Sequence, residues 1–201
     1  MLVFKIRRDE TLKKYMHSND RLDEVTVSTE PIYEGKIISL QVDTVRLPDG
    51  STAKREIIKH PGAVAVLAVH DSKMIMVDQF RQAMGRCELE IPAGKLEKGE
   101  DPLEAAKREL QEETGYVCDN IKLLHSFYTS PGFADEIIHL YIAEELRKGE
   151  AAPDDDEFLE LYELTLAEAE EAVALGKISD AKTMLAVYAW KLKQATGVFG
   201  L

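Results

Sequence analysis

The chain has 201 residues, of which 45% are hydrophobic and 31% are charged, and its formal net charge at pH 7 is −12. This length accommodates one well-buried domain, or one domain with a small appendage. The acidic balance argues against a nucleic-acid partner, because proteins that bind a phosphate backbone normally present a basic surface. An anionic small molecule would therefore have to bind through metal ions and a few well-placed arginines.

The sequence favours a cytoplasmic protein that does not enter a membrane. Its two cysteines, Cys87 and Cys118, are expected to be reduced thiols near strands, because their surroundings match neither a disulfide framework nor a zinc site. The longest apolar run, at residues 62–69, is too short to span a bilayer and is typical of a buried strand. Charged residues interrupt the first ten positions, so we expect no apolar signal core there.

Three regions are predicted along the chain. Residues 1–24 form an N-terminal arm with no assigned function, and residues 25–58 form a small antiparallel β unit in which Pro48-Asp49-Gly50 marks a hairpin. A sheet of two or three strands cannot bury all the apolar residues of this unit. We therefore expect it to pack on the main domain or on a second subunit, and a homodimer is the simpler arrangement.

The third region, residues 59–201, is predicted to be the main α/β domain. Apolar runs and alternation predict its strands, and three-to-four spacing predicts its helices. The expected strands are 63–69, 73–80, 121–128, 136–143 and 158–164, and the expected closing helices are 166–175 and 181–193. Residues 79–82 are expected to leave the sheet before the chain reaches a glycine-containing turn at residues 92–94.

A further helix is predicted immediately after that turn. Asp101 is suited to the N-cap, Pro102 to the first helical position, and Glu104 would complete a capping box. Gly115 supplies the left-handed residue that commonly ends a helix. The helix is therefore expected to run from residue 102 to residue 114.

The acidic residues of this helix predict a divalent-metal site. Glu109 and Glu113 lie one turn apart with Glu112 between them in projection, and Arg108 precedes Glu112 by four residues. Carboxylates this close repel one another unless cations lie among them, and oxygen-only ligands suit Mg²⁺ or Mn²⁺ rather than zinc. Arg108 is expected to hold one glutamate in position. The alternative is that the glutamates form only a solvated face of an amphipathic helix.

The segment from residue 94 to residue 116 resembles the Nudix box, in which a glycine, five residues, a glutamate and seven residues precede Arg-Glu-apolar-X-Glu-Glu-X-Gly-apolar. Tyr116 departs from that pattern, because the family usually has an aliphatic residue there. So many constrained positions favour the metal site over the solvated face. The matching residues are Gly94, Glu100, Arg108, Glu109, Leu110, Glu112, Glu113 and Gly115.

The chain from about Tyr33 to Lys193 is similar to the ADP-ribose pyrophosphatase branch of the Nudix hydrolases. That branch has a proline about fifteen residues after the box, and Pro131 lies fifteen residues after Tyr116. The resemblance implies the Nudix fold, an α/β/α sandwich with a mixed sheet, beside the small N-terminal antiparallel unit. It also implies that Glu109, Glu112 and Glu113 bind the metal together with the carbonyl of Ala93, supported by Arg108.

The same resemblance implies a set of substrate-binding residues. Arg81 would contact the diphosphate or a ribose, and Pro131 would also contact the substrate. Arg55 and Glu56 would reach the adenosine side, in the family often from the partner subunit of a swapped dimer. An exposed ion pair at a strand end is the alternative explanation for Arg55 and Glu56.

The loop at residues 148–157 contains four consecutive acidic residues from Asp154 to Glu157. Most such runs are solvated loops. The functional alternative is that one acid moves toward the metal site as the general base, with Glu157 the first choice and Asp156 the second.

Together these features predict Mg²⁺-dependent hydrolysis of the diphosphate bond of ADP-ribose to AMP and ribose 5-phosphate. Metal ions would neutralise the diphosphate and acidify a water, while a carboxylate takes the proton. No Ser-His-Asp or Cys-His arrangement points to a covalent intermediate. One alternative is hydrolysis of another nucleoside diphosphate sugar, such as a GDP- or ADP-hexose. The other is a non-catalytic Nudix module that senses a nucleotide.

Overall fold

The computed structural model describes residues 22–151 and 158–199. The chain divides after Ile58 into two compact units, which we call the N-terminal unit and the main unit. The arm predicted at residues 1–24 falls outside the described residues except for its last three. The acidic run that contains Asp156 and Glu157 falls outside them altogether.

The N-terminal unit is a three-stranded sheet in the order β1-β2-β3, with β1 antiparallel to β2. Gly50 lies in the predicted hairpin with a φ of 84°, and its N–H donates to the carbonyl of Leu47 over 2.9 Å. Glycine suits this position because other L residues rarely adopt that backbone conformation. The strands are β1 (Val25–Glu34), β2 (Ser39–Arg46) and β3 (Thr52–Lys59).

A seven-stranded mixed sheet forms the centre of the main unit. Five strands follow the order β12-β5-β4-β10-β9, while β6 pairs with β5 and β7 pairs with β4. β4 and β10 are parallel, and the other pairs are antiparallel. A separate ribbon pairs β8 with β11. The bounds are β4 (Ala63–His70), β5 (Lys73–Arg81), β6 (Arg86–Glu90), β7 (Ala93–Lys95), β8 (Tyr116–Val117), β9 (Ile121–Tyr128), β10 (Ile137–Ala143), β11 (Arg147–Lys148) and β12 (Leu159–Leu164).

Helices cover both faces of this sheet. Successive side chains of a strand point to opposite faces, so Val64 and Val66 of β4 pack with α1, while Ala65 and Leu67 pack with α2 and α3. The main unit is therefore an α/β/α sandwich, and the predicted fold class is confirmed. In the described part of the chain, no helix is long and apolar enough to cross a bilayer. The helices are α1 (Pro102–Thr114), α2 (Leu166–Ala174) and α3 (Ala181–Thr196).

One predicted strand boundary is wrong. Residues 79–82 were expected to leave the sheet, but β5 continues to Arg81, with Gln79 opposite Glu88 and Phe80 opposite Cys87. The polar side chains at this end of β5 are typical of a loop, but they are accommodated because β6 returns directly after a short turn. The other predicted strands and helices of the main domain are confirmed within three residues at each end.

Candidate active site

The ends of α1 lie where the sequence predicts them. Asp101 has an extended backbone, and its Oδ1 accepts hydrogen bonds from two N–H groups of the first turn at 2.9 and 3.4 Å. Pro102 opens the helix, and Gly115 ends it with a φ of 70°. These local signals fix the helix independently of what packs around it.

The predicted capping box is only half formed. The Glu104 carboxylate accepts a hydrogen bond from Lys107 Nζ at 2.7 Å instead of reaching back to the backbone of Asp101. Lys107 lies one turn along the exposed face of the helix, so it competes with the cap for the same carboxylate.

Arg108 lies at the centre of the acidic cluster and contacts three glutamates rather than the single one expected. Its Nε and Nη2 donate to Glu100 at 2.9 and 3.0 Å, and its Nη1 donates to Glu109 at 2.8 Å and to Glu112 at 2.9 Å. The hydrogen bonds to Glu100 raise the pKa of Arg108, and the same contact lowers the pKa of Glu100. One cation therefore offsets much of the repulsion among the carboxylates.

Glu109 lies directly against the backbone of Gly94. The residue is 7% exposed, and a Cβ built on Gly94 would lie 1.9 Å from its Cδ and 2.0 and 2.2 Å from its two oxygens. Gly94 does not have a positive φ, so space rather than backbone conformation requires a glycine here. The first residue of the box therefore makes room for one of its glutamates.

Glu113 is tied to the same strand one helical turn later. It is 4% exposed, and its Oε2 accepts a hydrogen bond from the N–H of Ala93 at 3.0 Å. Ala93 is itself paired with Ala65 of β4. The central sheet, β7 and α1 thus bring Glu109 and Glu113 to one interface.

These side chains fit a divalent cation in their chemistry. Glu109, Glu112 and Glu113 offer only oxygen donors on one side of α1, and two of them are buried beside β7. Over residues 22–151 and 158–199, no three His, Cys, Asp or Glu side chains are already gathered to hold a metal ion. An ion bound here would have to replace some of the contacts that Arg108 makes with Glu109 and Glu112.

Arg81 is held in place by Glu90. Its Nε and Nη2 donate to the two carboxylate oxygens at 2.6 and 2.8 Å, and Glu90 is 2% exposed. This contact raises the pKa of Arg81. Burial acts to raise the pKa of Glu90, but Arg81 and Lys182 outweigh it and the pKa is lowered. The charge of Glu113 also acts to raise the pKa of Arg81.

Contacts that were not predicted from the sequence join β6 to the segment 177–183, which we call the α3 strap. Glu88 is 1% exposed, and its Oε1 accepts hydrogen bonds from Ser179 Oγ at 2.8 Å and from the N–H of Asp180 at 3.1 Å. The alternation Glu-Leu-Glu in β6 is typical of outward-facing acids. The only local signal was Asp180, which caps α3 by accepting from the N–H of Lys182 at 3.0 Å.

Tyr116, the one departure from the box pattern, is buried and has a polar partner. It is 3% exposed, and its hydroxyl donates to Glu163 Oε1 at 3.0 Å. A buried tyrosine needs such a partner for its hydroxyl. The strand expected after the box is confirmed as β8.

The remaining predicted substrate residues lie in other parts of the fold. Arg55 and Glu56 are in β3, where Arg55 Nε donates to Glu24 Oε2 at 2.9 Å and Glu56 is exposed. Pro131 is exposed in the turn after β9. Their contacts with a substrate remain predictions.

The fold and the acidic helix agree with the comparisons with known proteins. A model described as "NUDIX domain" matches residues 59–187, and one described as "Nucleoside diphosphate sugar hydrolase N-terminal domain" matches residues 24–58. The chain belongs to the Nudix family.

Two relatives align with this chain over nearly their whole length. It is 54% identical to the "Methanol dehydrogenase activator" of Bacillus methanolicus, over 86% of this chain and 95% of that protein. It is 53% identical to the "ADP-ribose pyrophosphatase" of Bacillus subtilis (strain 168), over 87% of this chain and 96% of that protein. A solved structure titled "Crystal structure of ADP compounds hydrolase" has the same fold, with a TM-score of 0.77 at 18% identity over 88% of this chain and 97% of that one.

Proposed function

We propose that this protein hydrolyses the diphosphate bond of ADP-ribose, with water, to AMP and ribose 5-phosphate. The observation that carries the proposal is the constellation of Glu109, Glu112, Glu113 and Arg108 against Gly94, in a chain closely similar to a protein named ADP-ribose pyrophosphatase. An intact constellation of ligands favours chemistry over simple binding.

In this proposal one set of residues holds the metal ion and another orients the substrate. Glu109, Glu112 and Glu113, together with the carbonyl of Ala93, would hold Mg²⁺ or, in its place, Mn²⁺, and Arg108 would keep the carboxylates in position. Bound Mg²⁺ would neutralise the diphosphate and polarise its phosphorus–oxygen bonds. Arg81, presented on its Glu90 partner, would orient one phosphate or a ribose.

An acid of the 154–157 loop completes the proposal as general base. Water attacks phosphorus while Glu157, or Asp156 in its place, accepts its proton, and the anhydride bond breaks with departure of the second phosphate. Arg55, Glu56 and Pro131 are proposed to contact the remainder of the substrate.

We propose that the protein is a cytoplasmic homodimer. Every residue of β1 is exposed, including Val25, Val27, Ile32 and Tyr33, each more than half accessible. An exposed apolar strand of this length favours a protein partner. The free thiols of Cys87 and Cys118 suit a reducing compartment. Light scattering on the purified full-length chain will give the number of subunits.

A substrate panel tests the activity and its specificity together. ADP-ribose, an ADP-hexose and a GDP-hexose are each incubated with Mg²⁺ or with EDTA, and the products are separated and identified. We expect AMP and ribose 5-phosphate from ADP-ribose, with Mg²⁺ only. Equal or faster turnover of the GDP-hexose would replace the proposed substrate, and tight nucleotide binding with no turnover of any compound would favour the sensor alternative.

The relative named Methanol dehydrogenase activator supports a second candidate function. We propose that the protein also raises the activity of a dehydrogenase. Purified methanol dehydrogenase is assayed alone, with the wild-type protein and with its Glu113→Gln variant. Faster methanol oxidation with the wild-type protein supports this function, and an unchanged rate rules it out for that dehydrogenase.

A further inference from the structure

Glu90 is a buried carboxylate that contacts two cations. Arg81 of β5 contacts both of its oxygens, at 2.6 and 2.8 Å, and Lys182 in the first turn of α3 contacts Oε2 through its Nζ. The Glu90 side chain is 3% exposed and that of Lys182 11% exposed, whereas that of Arg81 is 39% exposed. Only Arg81 therefore offers a substantial surface to a ligand.

The two cations differ in what they can reach. Arg81 uses the Nε and Nη2 edge of its guanidinium for Glu90, so its Nη1 lies outside that pair. Lys182 is also bound to Asp180 Oδ1 at 3.1 Å, which ties its ammonium to the cap of α3. The Lys182 ammonium is thus held by two acids of the protein, Glu90 and Asp180.

The charge of Lys182 affects how much positive potential Arg81 can offer to a ligand. Arg81 and Lys182 together balance Glu90 and Asp180, whose Oδ2 is buried without a hydrogen-bond partner in the described residues. Without Lys182, Asp180 would lose its ion pair, and the Glu90 carboxylate would keep Arg81 as its cation but lose its contact with α3. Either change lowers the positive potential offered to an anion.

We infer that Lys182 is a positioning residue, which fixes the Glu90 carboxylate from α3 and so sets the place and the effective charge of the Arg81 guanidinium for the diphosphate substrate. This inference rests on the proposed function, in which Arg81 contacts that substrate. A second contact from the α3 strap supports this inference. Thr183 Oγ1 accepts a hydrogen bond from the N–H of Ile91, the residue after Glu90, at 3.1 Å.

Steady-state kinetics with ADP-ribose and Mg²⁺ test the inference on the full-length protein. Lys182→Met is expected to raise KM by about tenfold, with kcat changed by less than about twofold, since coupling through such networks is of that order. Lys182→Arg keeps the charge and should restore KM. Lys191→Met is the matched control, because Lys191 is an exposed residue on the same helix and pairs with Glu170. An unchanged KM in Lys182→Met, or an equal rise in Lys191→Met, overturns the inference.

A second measurement separates this inference from the proposed function. The Nε–H signal of Arg81, identified by its loss in Arg81→Lys, is recorded by nuclear magnetic resonance in each variant without substrate. The inference predicts a displaced Arg81 signal in Lys182→Met and a wild-type position in Lys191→Met. A wild-type position in both variants overturns it. If the wild-type protein fails to cleave ADP-ribose, the proposed function is wrong, and this signal still decides the role of Lys182.

Discussion

The carboxylate of Glu109 fills the space in which a side chain at position 94 would begin. A Cβ on Gly94 would lie 1.9 Å from Glu109 Cδ, far inside van der Waals contact. Gly94 and Glu109 are fifteen residues apart in sequence, yet they form a single structural feature.

Gly94→Ala should reduce hydrolysis far more than it reduces stability. The methyl group displaces the flexible end of Glu109, which can rotate away, but the carboxylate then leaves the proposed metal position. A displacement of about 1 Å can cost about 100-fold in rate, and we expect a loss of kcat/KM of that order with ADP-ribose. Gly132→Ala is the folding control, because a Cβ there would meet nothing within 4 Å. Wild-type kcat/KM in Gly94→Ala would contradict the assigned role.

Arg108→Met should destabilise the protein when no divalent cation is present. The variant leaves Glu100, Glu109 and Glu112 without their shared cation, so we expect a loss of about 1–3 kcal/mol in the free energy of unfolding in EDTA. Urea denaturation measures it. Mg²⁺ should recover more stability in this variant than in wild type.

Lys107→Met provides the comparison for that experiment. Lys107 is the neighbouring cation and makes one exposed ion pair, with Glu104. Its loss should change stability by less than about 1 kcal/mol. A stability of Arg108→Met equal to that of Lys107→Met would show that Arg108 does not hold the cluster.

Glu113→Gln should remove most hydrolysis while the protein stays folded. The amide oxygen can still accept the hydrogen bond from Ala93 N–H, but it carries no charge for a metal ion. We expect a loss in kcat of at least about 100-fold, with a circular dichroism spectrum like that of wild type. Glu104→Gln, on the exposed face of the same helix, should retain activity. Full activity in Glu113→Gln would show that this residue does not bind the metal ion.

Glu90 should make stability depend on pH in the acid range. Its pKa in the folded protein is lowered from 4.5, because Arg81 and Lys182 outweigh its burial. A lowered pKa contributes stability that is complete above 4.5 and is lost as the pH falls through the folded value. Urea denaturation from pH 7 to pH 3 should show a steeper loss in wild type than in Glu90→Gln. Glu171→Gln, an exposed change on α2, should follow wild type.

Local sequence signals predicted α1, whereas features that depend on contacts distant in sequence were not predicted. Asp101, Pro102 and Gly115 specify the helix within its own segment, so its caps could be read directly. Glu104 was misassigned because Lys107 competes for it. The burial of Glu88 and Glu90 could not be predicted, because their partners in the α3 strap lie about ninety residues away and alternating acids usually face water.

The bond between Glu88 and Ser179 spans 91 residues of chain. Residues 177–183 must therefore be synthesised before Glu88 and Glu90 acquire their partners in the α3 strap. Until then a nascent chain already carries the whole of α1, yet the carboxylates of Glu88 and Glu90 have only Arg86 and Arg81 as side-chain partners, in a strand whose acids are buried in the folded protein. Chains interrupted before the strap should consequently be held by chaperones or degraded rather than accumulate as weakly active enzyme.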